Sequence, residues 1–292
     1  MKQVFPTALL SLTLALEGCV SSVTNDTSEA TAVTVLGQNP PGLKAELFAP
    51  GLVSTDSLEI EGVFAPGMTE FYFTRQVNRG PVNTHTFSYE NGEWRETSVE
   101  PRTGEVALSP DGNTMYLGNM YRERSEDGWT ESKSLGAAYE DIEIMRLTVS
   151  STGSYVFDER DEVGTIRFSR VVDGQREAPK AFDETINSGA FTAHPFIAPD
   201  ESYIIWDSDR DGGYGESDLY ISFRQDDGRW GPAINMGEGI NTEYEDAYGS
   251  VTPDGKYFFF HTVDLNREKP DESFADVFWA DADIIESLRP KK

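Results

Sequence analysis

A ten-residue pattern recurs five times along this chain and restricts its fold more than any other feature. In each copy an apolar residue precedes a tight turn, often Pro-Asp-Gly, and an apolar and aromatic run follows, which predicts a β-hairpin. The copies begin at Phe64, Leu108, Val149, Ile197 and Val251. Their third positions, here called anchor positions, are Pro66, Pro110, Ser151, Pro199 and Pro253, spaced by 44, 41, 48 and 54 residues. Such spacing predicts one four-stranded propeller blade per repeat.

A second hairpin is predicted after the first in four of the five copies. Its turns favour the positive φ angles that two-residue hairpins need, and they are Asn91-Gly92, Asp127-Gly128, Asp173-Gly174 and Asp227-Gly228. Trp94, Trp129 and Trp230 follow three of these turns. We expect their rings to pack between neighbouring blades.

The fifth copy lacks a fourth strand. Its third strand is expected near Asp276–Trp279, and a short helix is expected from Asp283 to Leu288. The segment Lys44–Phe48 precedes the first copy and has no partner there. Joining it to the last blade would remove two exposed sheet edges. The sequence therefore predicts an all-β, five-bladed propeller of four-stranded antiparallel blades, closed by the N-terminal strand. Six blades are the alternative, if residues 44–60 form more than one strand.

The repeat resembles a known family. The stretch Val251–Phe260, with Pro-Asp-Gly-Lys-Tyr inside it, is similar to the WD40-like (PD40) repeat of TolB-type propellers. Gly212–Tyr220 and Asp227–Pro232 resemble the same repeat, and Asn187 and Asn241 each lie twelve residues before an anchor proline. The likeness covers roughly residues 44–282, and its weakest copy has Ser151-Thr152-Gly153 in place of Pro-Asp-Gly. It implies an exported binding or scaffold protein and carries over no catalytic motif.

The N-terminus has the features of an export signal. Lys2 precedes an apolar stretch from Val4 to Leu16 that is too short to span a bilayer, and Leu16-Glu17-Gly18-Cys19 follows. This tetrapeptide resembles a bacterial lipobox, in which the cysteine is lipidated, although Glu17 departs from the pattern. Ordinary secretion is the alternative. We expect a signal peptide over 1–19, a flexible tether over 20–43 and the propeller over 44–292, in the cell envelope as an outer-membrane lipoprotein or in the periplasm.

Composition and motifs exclude several functions. The formal net charge of −27 disfavours nucleic acid and anionic membranes as partners, so membrane association is expected only through the lipid anchor. Nucleophile motifs such as Gly-x-Ser-x-Gly are absent. Cys19 is the single cysteine, and only three histidines occur, which makes a cysteine nucleophile or a histidine-rich zinc site in the domain untenable.

Two sets of residues are candidates for a site. Five residues before the anchor positions stand Glu61, Glu105, Arg146, His194 and Tyr248. Because equivalent positions recur around a propeller, we expect them together near one mouth of its central channel, as ligand-binding groups or as a plain channel lining. The residues two further on are mostly small or apolar: Val63, Ala107, Thr148, Phe196 and Ser250.

The second set is an acidic loop. Asp207, Asp209 and Asp211 alternate before Gly212, and Asp218 follows at the twelfth position of the loop, which resembles a calcium-binding loop. Asp218 replaces the usual glutamate, and no flanking helices are expected. The alternative is an ordinary acidic turn with no cofactor.

Two functions compete on this evidence. The first is a non-enzymatic envelope protein that binds a protein or peptide on the propeller. The second is a carbohydrate-active hydrolase or lyase at the channel mouth, with Glu61 and Glu105 as acid and base.

Overall fold

The computed structural model describes Met1, residues 34–265 and residues 272–291. The chain divides into two compact units, Met1–Ala32 and Val33–Lys292, of which the second is described below. Within the described residues it contains 23 strands and one helix, α1 (Asp283–Leu288). Searched over the same residues, the chain has no helix with the length and apolarity required to cross a membrane.

The strands form five units of antiparallel sheet, one for each copy of the repeat. Unit 1 contains β2 (Leu58–Phe64), β3 (Glu70–Gln76), β4 (Val82–Glu90) and β5 (Glu93–Pro101). Unit 2 contains β6 (Val106–Leu108), β7 (Thr114–Leu117), β8 (Met120–Ser125), β9 (Gly128–Trp129) and β10 (Lys133–Ser134), the last two both paired with β8.

Units 3 and 4 follow the same order. Unit 3 contains β11 (Leu147–Val149), β12 (Tyr155–Glu159), β13 (Thr165–Ser169) and β16 (Lys180–Ala181), with β14 (Val171–Val172) and β15 (Gln175–Arg176) as a separate hairpin. Unit 4 contains β17 (Phe191–Ile197), β18 (Tyr203–Asp209), β19 (Asp218–Phe223) and β20 (Ile234–Asn235). Four-stranded antiparallel sheets in this succession are consistent with a propeller fold.

Unit 5 takes its fourth strand from the other end of the domain. Its own strands are β21 (Glu245–Val251), β22 (Tyr257–Asp264) and β23 (Phe274–Asp281), and β1 (Glu46–Leu47) pairs antiparallel with β23. Immediately after β1, the ring of Phe48 is fully buried among Phe71, Phe259 and Trp279, at centroid distances of 5.1, 4.7 and 5.0 Å. Aromatic packing therefore stabilises the added strand, in addition to the backbone hydrogen bonds between β1 and β23.

The domain begins earlier than the tether prediction allows. Val35 and Leu36 are buried in the aromatic core of units 1 and 5. Gln38 fixes this segment, because its amide donates to the carbonyl of Leu47 and accepts from the N–H of Ala49. Residues 34–43 are therefore part of the packed domain, since their apolar side chains find a place in its core. The predicted signal peptide and the rest of the tether lie outside the described residues.

The turn chemistry explains most of the hairpins. Asn91-Gly92 and Asp173-Gly174 form the predicted two-residue turns, with positive φ at both positions of each. The other two predictions were wrong in detail: residues 126–127 turn between β8 and β9, so that Gly128 lies in β9, and residues 225–229 form a longer loop. The first-strand hairpins occur in all five units, and α1 has the predicted bounds.

Asn187 and Asn241 of the repeat each connect the loop that contains them to the preceding sheet. The Asn187 side chain bonds to both backbone groups of Ile166, and Asn241 does the same to Leu219. Each thus extends the ladder of a third strand with a side-chain amide. Trp129 and Trp230 reach the preceding unit, as expected, through a hydrogen bond to Tyr72 and a ring contact with Phe182.

Candidate functional site

The first strands of three units carry the same bulge, and the bulged residue is a site candidate each time. Register shifts occur between Ile60 and Val63, Ala193 and Phe196, and Ala247 and Ser250. Within these bulges Glu61, His194 and Tyr248 have φ of +64°, +45° and +64°. A bulge turns a side chain away from the regular alternation, and here the bulged polar residue is the fourth of seven in its strand.

Glycine follows the bulged residue where the sheet packs closely. A Cβ on Gly62 would lie 2.9 Å from Val277 Cγ1, and one on Gly249 would lie 2.8 Å from Ile205 Cγ2. These short distances leave no room for a side chain, so units 1 and 5 require a glycine directly after the bulged residue. In unit 4 the bulged His194 is followed by Pro195 instead.

The backbone N–H of each bulged residue is bound by a side chain from the second strand of the neighbouring unit. Asp158 accepts from His194 N at 2.8 Å, Asp207 accepts from Tyr248 N at 3.1 Å, and His261 Nδ1 accepts from Glu61 N at 3.2 Å. The N–H groups freed by the bulges are therefore satisfied between units. Because His261 Nδ1 is an acceptor, this ring is neutral and its proton is on Nε2.

The five predicted residues come together, as the repeat positions indicate. Arg102 binds both oxygens of Glu61 and lies 3.4 Å from Glu105 Oε1. His194 lies between Glu105, at 3.6 Å, and Asp207, at 3.0 Å. Glu61 also accepts from Thr74 Oγ1 at 2.6 Å. The result is a buried network of alternating charges at one end of the inner strands.

Arg146 and Tyr248 form a layer across the centre. The Arg146 guanidinium lies 3.6 Å from the centroid of the Tyr248 ring and donates to the carbonyls of His194 and Gly249. The Tyr248 hydroxyl donates to the carbonyl of Val106 at 2.6 Å, which links unit 5 to unit 2. Both side chains are about 1% exposed. Groups from units 2 to 5 take part in this layer.

Two cavities lie at opposite ends of the inner strands. The polar mouth is a cavity of about 520 Å³ whose lining includes Glu61, Arg102, Glu105, His194 and Glu245. The apolar mouth is a cavity of about 360 Å³, and all five anchor positions line it. So do all five residues that the sequence places two positions beyond the polar set: Val63, Ala107, Thr148, Phe196 and Ser250.

Burial and neighbouring charges shift several pKa values in the polar mouth. Burial opposes the charge on His194, but Asp207 and Glu105 outweigh it and raise the pKa of His194 well above its usual value. The pKa of Glu105 is lowered, because His194, Arg102 and Arg146 together outweigh its burial. Burial raises the pKa of Asp158 to about 6 and lowers that of His261 to about 3. At neutral pH His194 is therefore charged and His261 is neutral.

The sequence analysis missed five members of this network. Arg102, Thr74, Asp158 and His261 were not proposed, and Asp207 was assigned to a calcium loop. The repeat carries a signal for most of them: Thr74, Asp207 and His261 each stand eight residues after an anchor position, and Asp158 stands seven after Ser151. In each of these copies a polar residue directly follows the apolar and aromatic run, and this position of the repeat supplies the second set of network residues.

The structure does not bring the four aspartates of the predicted calcium loop together. Ser208 pairs with Asp218 across β18 and β19, and since neighbours on a strand alternate, Asp207 and Asp218 face opposite sides of the sheet. Asp218 accepts from the N–H groups of Tyr214 and Gly215 and from Asn235. Asp209 and Asp211 are exposed. Among the described residues, no group of three or more histidine, cysteine or acidic side chains is placed to hold a metal.

The lipidation candidate Cys19 lies outside the described residues. The predicted acid and base, Glu61 and Glu105, both lie in the polar mouth, but Arg102 contacts both.

Comparison with known proteins gives distant structural likenesses. No family model matches the sequence, and no curated protein matches it. A structure of TolB from Acinetobacter baumannii has a TM-score of 0.45 and 13% identity over 77% of this chain and 54% of its own, so the chain spans about half of it. A putative TolB from Agrobacterium tumefaciens has a TM-score of 0.44 and 16% identity over 73% and 72%.

A third similar structure is of another kind. The catalytic domain of a GH62 α-L-arabinofuranosidase from Coprinopsis cinerea has a TM-score of 0.47 and 10% identity over 83% of this chain and 98% of its own. The TolB structures and this glycosidase are thus matched at similar scores, and the chain is not assigned to either group.

Proposed function

We propose that the five units form a closed five-bladed propeller whose last blade is completed by β1. Contacts between the first and last units support closure: Leu58 pairs with Ala275, and Ser250 Oγ donates to the carbonyl of Gly62 at 3.4 Å. Residues 44–60 supply only β1 and the start of β2, which leaves no strands there for a sixth blade.

On this fold, we propose a non-enzymatic binding protein whose ligand enters the polar mouth. The convergence of equivalent inner-strand residues on one polar cavity carries the proposal. Arg102 and Asp207 bind side chains of these residues, and Asp158 and His261 bind their backbone N–H groups, so the groups are fixed before a ligand arrives. Such preorganisation reduces the entropy lost on binding.

The catalytic alternative has less support from the geometry. A general acid or base must exchange a proton with its substrate. Glu61 accepts from Arg102 and Thr74, and Glu105 is held between Arg102 and His194. Glu61, which an acid–base pair would need, is therefore not free to exchange a proton with a substrate, so a carbohydrate-active hydrolase or lyase is the second candidate.

We also propose that the protein is exported and lipid-anchored in the cell envelope, which the Leu-Glu-Gly-Cys sequence before residue 20 supports. Its partner there is a protein or peptide. Mass spectrometry of the purified mature protein and of Cys19→Ser tests the anchor: an unmodified wild-type N-terminus rules it out.

Blocking the polar mouth tests the binding proposal. Val82 lines this cavity and is 38% exposed, so Val82→Trp fills the entrance without changing any charge. Val172→Trp is the matched control on an exposed strand, since Val172 is 48% exposed and lies in β14. Peptides, glycans and metabolites that stabilise the wild type in a thermal-shift panel should lose their effect on Val82→Trp alone. Equal binding to both variants would place the site elsewhere.

A further inference from the structure

Each positively charged side chain that the described residues place in the polar mouth has a partner within the protein. Arg102 is bound to Glu61, His194 to Asp207, and Arg160 lies 3.7 Å from Glu143. His261 accepts a backbone hydrogen bond and is neutral. Among the described residues, each positive charge that lines this cavity therefore already has an acidic neighbour.

Two carboxylates of the same cavity are left over. Glu105 is 8% exposed, and its Oε2 is buried without a hydrogen-bond partner. Its Oε1 has only long contacts, at 3.4 Å to Arg102 and 3.6 Å to His194. An unsatisfied buried carboxylate oxygen costs free energy until a donor reaches it. Rotation about the last side-chain bond has broad minima and presents either oxygen to the cavity.

Glu245 is the second of these carboxylates. It lines the polar mouth at the start of β21 and is partly buried, and no hydrogen bond or ion pair joins its carboxylate to another described residue. Burial and the charge of Asp207 both raise the pKa of Glu245. A positive charge close to this carboxylate favours its ionised form and offsets both influences.

We propose that the polar mouth binds an organic cation, a guanidinium or ammonium group such as the side chain of an arginine or lysine of a peptide, between Glu105 and Glu245. This proposal rests on the binding function proposed above and names the chemistry of its ligand. The planar guanidinium fits best, because it donates two parallel hydrogen bonds to one carboxylate and still has donors for a second. The protein's net charge of −27 attracts such a ligand from a distance.

A matched pair of probes tests the charge. N-acetyl-L-arginine methylamide carries one positive charge, and N-acetyl-L-citrulline methylamide is its neutral isostere. Titration calorimetry on the full domain should show binding of the arginine compound. The citrulline compound should bind with an affinity about tenfold lower or weaker still, since charge-assisted hydrogen bonds are about twice as strong as neutral ones. Added salt should weaken the arginine complex.

Variants locate the site. Glu105→Gln and Glu245→Gln should each lower the affinity for the arginine compound, and Glu126→Gln, at an exposed turn outside the cavity, should leave it unchanged. Glu245→Gln keeps the test valid if the more buried Glu105→Gln folds poorly. Equal affinity for both probes, no binding of the arginine compound, or equal effects of all three variants would each overturn the proposal. If other ligands still respond to Val82→Trp, the binding function survives that outcome.

Discussion

The polar and the apolar mouth are built by the same five inner strands and have opposite chemistry. Glu61, Glu105 and His194 line one end, and Val63, Ala107 and Phe196, two positions further along the same strands, line the other. Among the described residues the apolar mouth has no carboxylate and no histidine in its lining. Neighbouring positions of the repeat therefore give the two ends of the inner strands different chemistry.

In the closed ring proposed above, the Arg146–Tyr248 layer lies between the two ends. The network at the polar mouth combines contacts within a unit, such as His194 with Asp207, with bonds from Asp158 and Asp207 to the next unit. The arrangement of charges at this end therefore depends in part on neighbouring units, whereas the apolar end follows from the composition of each hairpin. Four experiments can break or sharpen this contrast.

Opening the ring should have the largest effect, because both ends need it. Phe48→Ala removes a fully buried ring that packs on Phe71, Phe259 and Trp279 beside β1. We expect the free energy of unfolding to fall by about 4 kcal/mol. Leu43→Ala, at a side chain 50% exposed, is the control. Similar urea midpoints for the two variants would contradict the closure by β1.

Removing the layer should cost slightly less. Arg146→Met keeps much of the side-chain volume but deletes the charge that faces the Tyr248 ring and two carbonyls. We expect a loss of about 3 kcal/mol, since the remaining buried carboxylates lose a compensating charge. Arg229→Met, at an exposed side chain, serves for comparison in the same urea titration. If Arg146→Met unfolds at the same urea concentration as the wild type, the layer contributes nothing to stability.

Acid should destabilise the polar end through His261. Its pKa is about 3 in the folded state against about 6.5 for an unperturbed histidine, so below pH 6.5 the unfolded chain binds a proton that the folded one does not. This contribution to stability is present above pH 6.5 and is lost as pH falls towards 3. The contribution of His194, whose folded pKa is raised, is fully present throughout that range and disappears only at higher pH.

Replacing His261 isolates this effect. Because glutamine does not titrate and can still accept from Glu61 N, His261→Gln should lose about 2 kcal/mol less than the wild type between pH 6.5 and pH 5. Unfolding titrations at the two pH values measure the difference, and the histidine NMR signals should show His261 neutral at pH 5. Parallel pH profiles for the two proteins would disprove its buried, neutral state.

Calcium should have the smallest effect. Asp207 belongs to the network of the polar mouth, and Asp218 is bound on the other face of the sheet by two backbone N–H groups and Asn235. The double change Asp209→Asn and Asp211→Asn, at exposed positions, should alter stability by less than about 0.5 kcal/mol. Millimolar calcium should leave the melting temperature of both proteins unchanged. A rise in the wild type alone would restore the calcium loop.

The sequence by itself determined the hairpins, their number and the two sets of inner-strand residues. These follow from local chemistry: turn residues such as Asn91-Gly92 fix a hairpin, and alternation along a strand separates Glu61 from Val63. Only the tertiary structure decided which charges meet. The pairing of β18 with β19 sends Asp207 and Asp218 to opposite faces, and Arg102 reaches Glu61 across 41 residues of chain. Such contacts depend on register and on the neighbouring unit, which no single repeat encodes.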